Sequence, residues 1–211
     1  EIYTLSLHDA LPIYFIKSQI KDIPTIAIIL GSGLGSFHEK LIDRTEIEYK
    51  NIPAFSVSTV QGHAGKLVLG KLASKNLAVM AGRFHYYEGY DMSQVTFPVR
   101  VFGYLGIKTL IVTNAAGGIN TSFTAGDLML IEDHINMMGT NPLIGQNLDK
   151  MGQRFPDMTT AYTPKLKNIA IESAKKVGVH LQKGIYLSLT GPSYETPSEI
   201  RMMRLDRKSV V

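Results

Sequence analysis

The run Thr25-Ile-Ala-Ile-Ile-Leu30 is apolar after its first residue, rich in β-branched side chains, and cut off at once by Gly31. A strand with one wet face alternates apolar and polar residues, so an unbroken short run predicts a strand covered on both faces. Similar runs recur at Lys66 to Leu72, Leu77 to Ala81, Thr109 to Thr113, Leu128 to Glu132 and Gly184 to Leu189. Helical patterns lie between some of them. Thr163-Pro164 has the form of an N-cap and first helical residue, followed at helical spacing by Leu166, Ile169, Ala170, Ala174 and Val177. Thr196-Pro-Ser-Glu199 reads as a capping box. Phe97 to Leu105 reads as a helix with Pro98 in its first turn and Val99, Phe102 and Leu105 facing the core. Strands interleaved with helices predict an α/β layer architecture, and 211 residues are most economically one domain.

Composition narrows the function classes. The chain has no cysteine, which removes a disulfide framework, a thiol nucleophile and a Cys-ligated zinc, and is compatible with a cytoplasmic setting. The formal net charge of +4 comes from scattered basic residues, so a nucleic-acid partner is not expected. Lys175 with Lys176, and Arg201 with Arg204, fall on helix-like stretches and read as solvated faces. No stretch is long and apolar enough to predict a membrane span.

Several of these runs begin or end at a loop whose residues can carry chemistry. Gly31-Ser-Gly-Leu-Gly35 is either an anion cradle of backbone N–H groups with the Ser32 hydroxyl added, or a tight strand-to-helix turn. Its spacing is neither the dinucleotide fingerprint nor a P-loop. Gly62-His-Ala-Gly-Lys66 presents His63 as an anion ligand or an acid-base group, or merely as a turn histidine. Met80-Ala-Gly-Arg-Phe-His-Tyr-Tyr-Glu-Gly89 combines a permanently charged fork at Arg83, an adjustable donor at His85 and flat tyrosine faces, a set suited to an anion beside a sugar or base. Thr113-Asn-Ala-Ala-Gly-Gly118 offers small residues at a strand end, for a ligand or for close packing. Thr190-Gly-Pro-Ser-Tyr-Glu-Thr196 places Glu195 to accept a ring N–H and Tyr194 to pack on a ring face, or simply sets a carboxylate at a helix start. Glu132-Asp-His134 lacks a partner cluster, so no metal is expected.

Taken together and in order, these loops closely resemble those of the trimeric purine nucleoside phosphorylases, from about Tyr14 to about Leu205; Asp127 to Pro142 and Arg154 to Tyr162 resemble that family too. The resemblance implies a single α/β domain with a mixed, partly barrel-like central sheet flanked by helices. It also implies a homotrimer in purine salvage that carries out reversible phosphorolysis of purine nucleosides to base and (deoxy)ribose 1-phosphate. Inorganic phosphate is then a co-substrate and no cofactor is implied. By resemblance Ser32, His63, Arg83, His85 and Ala115 would hold phosphate, Tyr87 would touch ribose, and Ala116, Gly117, Tyr194 and Glu195 would line the base site. His85 and Glu195 would be the catalytic pair, and Phe155 would reach a neighbouring subunit's site. Methylthioadenosine phosphorylases share the phosphate loops, but Tyr194-Glu-Thr196 favours the nucleoside enzyme.

The ends depart from that pattern. The family's later asparagine, histidine and Met-Ser pair have no counterpart here, and residues 1–13 and 206–211 resemble nothing in it. The expectation is an internal fragment, its phosphorylase-like domain spanning 14–205, with little or no phosphorolysis by these 211 residues alone. The alternatives are a noncatalytic phosphate- or purine-binding protein and a methylthioadenosine phosphorylase-like enzyme.

Overall fold

An unbroken apolar strand points side chains to two faces in alternation and needs cover on both. The computed structural model describes residues 7–57, 64–204 and 209–210. His63 therefore lies outside the described residues, as do 205–208 and 211 of the C-terminal stretch. Contacts divide the chain into two compact units, Glu1–Ala115 and Ala116–Val211.

In the first unit β1 (Ile26–Ile29), β2 (Ile42–Glu48), β3 (Lys66–Leu72), β4 (Lys75–Ala81) and β5 (Thr109–Val112) form a mixed sheet ordered β2-β3-β4-β1-β5. β1 is parallel to β4 and β5, whereas β2–β3 and β3–β4 are antiparallel. The period of two is visible in the packing. Ala27 and Ile29, Leu67 and Leu69, and Ala78 and Met80 enter one buried cluster with helices α1 (Leu7–Ser18) and α2 (Met92–Leu105). The intervening Ile28, Val68, Leu77 and Val79 enter a second cluster with Leu30 and Leu41. Each large apolar side chain so buried contributes roughly 1.5–3 kcal/mol relative to exposure.

Three local expectations change. Helix α2 begins at Met92 because the Asp91 carboxylate accepts the Gln94 N–H at 2.9 Å while the Gln94 side-chain oxygen accepts the Asp91 N–H at 3.0 Å. Pro98 consequently sits inside the helix, and Val99 is 40% exposed while Val101 takes its place in the core. β2 was not expected, since its charged, mostly exposed residues mark a sheet edge rather than a buried run. β5 is the other edge of these strands, and its Leu110, Ile111 and Val112 are exposed rather than covered. Helix α1 starts within the stretch that resembled nothing in the family, and its Ala10, Pro12 and Ile13 are buried.

In the second unit β6 (Leu128–Asn136), β7 (Leu181–Ser188) and β8 (Ser209–Val210) form a parallel sheet. β6 runs past the expected end through an irregularity at Glu132, where the register skips between Ile131 and Asp133. Helix α3 (Pro164–Lys176) matches its expected start, but Thr163 makes no side-chain cap and Leu166 and Ile169 are exposed. Helix α4 (Pro197–Met203) opens on the expected capping box of Thr196 and Glu199. Ile119, Leu187 and Met203 form a buried cluster in this unit, with Ile135, Leu189 and Ile200 packed against it. The class is therefore α/β with a mixed sheet flanked by helices, and the described strands close no barrel. Among the described residues no helix is long and apolar enough to cross a membrane.

Candidate active site

Because β4, β1 and β5 are adjacent and parallel, their carboxyl ends lie together, and three loops of the first unit leave from that one edge. These are the loop from Gly31, the loop from Gly82 and the residues from Thr113 to Ala115. Such a strand-end edge is where open α/β sheets bind ligands. Ser32 and Ala115 are exposed there, and Arg83 and His85 are half-buried.

Burial of one side chain orients its two neighbours. Phe84 lies in the core, edge-on to Tyr49 at 5.3 Å and in aromatic contact with Phe55 and Tyr90, so Arg83 and His85 on either side of it are kept out of that core. Tyr49 further ties the loop by donating its hydroxyl to the Gly82 carbonyl at 2.7 Å, and burial pushes its phenol pKa well above the ordinary value. The Arg83 guanidinium donates from Nη1 to the Thr113 carbonyl at 2.8 Å and from Nε to His85 Nε2 at 3.3 Å. His85 Nδ1 meets Glu88 Oε1 at 2.8 Å, and the same oxygen accepts the His85 backbone N–H at 2.7 Å. With Nε2 accepting from Arg83, the Nδ1 nitrogen carries the proton toward Glu88, which fixes the ring orientation.

Glu88, whose side chain is only 3% exposed, was assigned no role from sequence. The signal was present as a His-x-x-Glu spacing, which here forms a capping box on the short turn Tyr86–Glu88. Tyr87 stacks on the His85 ring at 4.8 Å and 20°, leaving its other face exposed. Desolvation first, and the Glu88 carboxylate second, push the Tyr87 phenol pKa up, with Arg83 opposing. A permanent cation, an oriented imidazole and a glycine-rich backbone turn at one edge make an arrangement that can hold a tetrahedral oxyanion beside a flat ring.

The remaining expected residues belong to the second unit. Ala116 and Gly117 are exposed and precede the buried Ile119, which shares a cluster with Leu187 of β7 and Met203 of α4. Tyr194 and Glu195 lie in the loop between those two elements; Tyr194 is 96% exposed and Glu195 half-buried. Packing within this unit thus anchors both stretches to one cluster. Phe155 is 85% exposed, with the Arg154 guanidinium 6.0 Å from its ring centre. Arg154 also donates from Nη1 to the Leu143 and Gly145 carbonyls at 3.0 and 2.7 Å, bracing the irregular segment before Phe155. His134 pairs with the Tyr162 hydroxyl at 3.1 Å, and among the described residues no three His, Cys, Asp or Glu side chains gather as a metal site.

The fold is that of an α/β protein whose strand-end edge gathers a guanidinium, an oriented imidazole and a glycine-rich turn, and comparison with known proteins gives that class a family. Residues 25–211 match the Phosphorylase superfamily, a match that spans both units. The chain is 56% identical over 190 residues to purine nucleoside phosphorylase 1 of Bacillus subtilis, covering 90% of this chain and 70% of that protein. It is 48% identical over 196 residues to the purine nucleoside phosphorylase of Rattus norvegicus, covering 90% and 68%. Isoform 2 of the Schistosoma mansoni purine nucleoside phosphorylase, solved with cytosine and ribose-1-phosphate, superposes with a TM-score of 0.90 at 39% identity, covering 96% of this chain and 73% of that one. A Schistosoma purine nucleoside phosphorylase in complex with hypoxanthine gives the same TM-score at 38% identity, with the same coverage. The chain belongs to the phosphorylase superfamily and, within it, to the purine nucleoside phosphorylases.

Proposed function

We propose that the protein carries out reversible phosphorolysis of purine nucleosides, yielding free base and (deoxy)ribose 1-phosphate, as a cytoplasmic homotrimer in purine salvage. The observation that carries this reading is the convergence of the Gly31, Arg83–His85 and Thr113–Ala115 loops on the ends of three adjacent parallel strands. Arg83, His85, Ser32 and the backbone at Ala115 hold phosphate, with His63 added from its own loop. Tyr87 contacts the ribose; Ala116, Gly117, Tyr194 and Glu195 receive the base. Phe155 completes a neighbouring subunit's site, a role supported by its exposed ring on a braced segment.

Phosphate is itself the nucleophile. One of its oxygens bonds to the anomeric carbon as the bond to the purine nitrogen breaks, and that electron pair leaves on the base. Fixed donors hold the phosphate against the sugar, so much of the cost of bringing two reactants together is met by binding. The phosphate's negative charge then faces the developing ribosyl cation. Glu195 accepts the N–H of a 6-oxopurine and favours the base as it departs.

Calorimetric titration of the 211-residue chain with inorganic phosphate, followed by hypoxanthine, tests the assignment. Saturable phosphate binding that is lost with Arg83→Ala is expected, and its absence in the unaltered chain would remove the phosphate site. The reaction itself is tested by hypoxanthine release from inosine, assayed in the protein that carries these residues. Release that depends on phosphate is expected; equal release without phosphate would mark a hydrolase instead.

A further inference from the structure

Two of the strand-end loops of the first unit, those of Gly31 and Arg83, meet at one residue, Thr113. Thr113 follows β5. Its backbone N–H donates to the Ile29 carbonyl at 3.1 Å, and its hydroxyl donates to the same carbonyl at 3.2 Å. The hydroxyl oxygen accepts the Gly31 N–H at 2.9 Å, and the Thr113 carbonyl accepts Arg83 Nη1 at 2.8 Å. One residue therefore joins the end of β1, the first peptide of the glycine-rich loop and the guanidinium of the loop after β4.

The fit is close. A Cβ on Gly31 would stand 2.6 Å from the Thr113 carbonyl oxygen and 2.7 Å from Asn114 Cα, so only glycine permits this approach. A β-branched side chain has few χ1 states, which helps hold the hydroxyl on its two partners. Arg83 is a long side chain with much rotamer freedom to lose, and a carbonyl at 2.8 Å restricts it before any anion arrives.

We infer that Thr113 is a positioning residue for the oxyanion site, setting the Gly31 loop and the Arg83 guanidinium in register without touching phosphate. This inference rests on the phosphate-site reading given above. The test titrates the chain and its variants with inorganic phosphate by calorimetry and follows exchange of the Gly31 amide hydrogen by NMR. Thr113→Val keeps the shape and removes the hydroxyl. It should weaken phosphate binding about tenfold, chiefly by leaving the Gly31 N–H without its hydroxyl acceptor. It should also speed Gly31 exchange while leaving hypoxanthine affinity unchanged. Thr113→Ser should restore most of the affinity, and Thr113→Ala, which demands less of the packing, should repeat the defect where Thr113→Val does not fold. Wild-type phosphate affinity in folded Thr113→Val or Thr113→Ala overturns the role, as does failure of Thr113→Ser to restore binding. No phosphate binding by the unaltered chain overturns the site reading itself, and with it this role.

Discussion

The first unit covers β1, β3 and β4 on both faces, with two buried clusters separated by strands whose alternate residues serve each. Among the described residues the second unit has one small cluster, and the apolar residues Leu128 of β6 and Leu166, Ile169 and Val177 of the α3 pattern are exposed. The expected site residues follow the same division. Arg83 and His85 are half-buried and tied into a hydrogen-bonded network, whereas Tyr194 and Phe155 project into solvent. Order at a binding residue is inherited from the core beneath it: Phe84 is buried, so Arg83 and His85 on either side of it are aimed. Phe155 belongs to none of the buried clusters of the described residues, and its segment is braced by Arg154 and by side-chain turns.

The largest test of this contrast is a pair of core and surface truncations. Leu67→Ala, at a fully buried strand position, should cost roughly 2–5 kcal/mol in urea unfolding. Leu128→Ala, at an exposed strand position, should fall within about 0.5 kcal/mol. Equal costs would break the distinction between the units. Next, Arg83→Ala should weaken phosphate binding roughly 10- to 100-fold, as expected for hydrogen bonds from a charged donor, while Tyr194→Ala leaves it unchanged. Calorimetry with phosphate decides between a localised and a spread site.

A smaller effect separates a cap that bonds from one that only has the right sequence. Thr196→Ala should lower stability by about 1 kcal/mol, because its hydroxyl accepts the Glu199 N–H. Thr163→Ala should change it by no more than about 0.5 kcal/mol, since that side chain makes no cap bond. The smallest effect is on pH dependence. Hydrogen bonds from Ser93 first and Gln94 next hold the Asp91 carboxyl below its ordinary pKa of 3.8. Its stabilisation is therefore complete above that value and is lost as pH falls through the lowered folded value. Asp91→Asn keeps a capping oxygen and should flatten that part of the melting profile between pH 5 and about pH 2; an unchanged profile would remove the cap from the account.

Much of the scaffold was legible in local pattern. The unbroken runs at Thr25–Leu30, Lys66–Leu72 and Leu77–Ala81 became β1, β3 and β4, and Thr196-Pro-Ser-Glu199 became the cap of α4. The helix ending at Leu105 was read too short because its start depends on Asp91 and Gln94, polar residues upstream of the apolar stripe. The same logic hid β2, whose charged residues suit an edge and carry no apolar run. For the candidate site, Arg83 and His85 announced themselves by residue type, but Glu88 did not, since its role lies in a pairing with His85 rather than in its own chemistry.

By itself the sequence determined which apolar runs become strands, where their glycine-rich loops fall, and which donors those loops carry. These depend on periods of two or 3.6 and on neighbours a few residues away. Only the tertiary structure decided that β4, β1 and β5 lie side by side, and that Thr113 holds Gly31 and Arg83 across separations of 82 and 30 residues. Such contacts are set by strand order and core packing, which emerge when both faces of the sheet find cover and leave no trace in any short window of sequence.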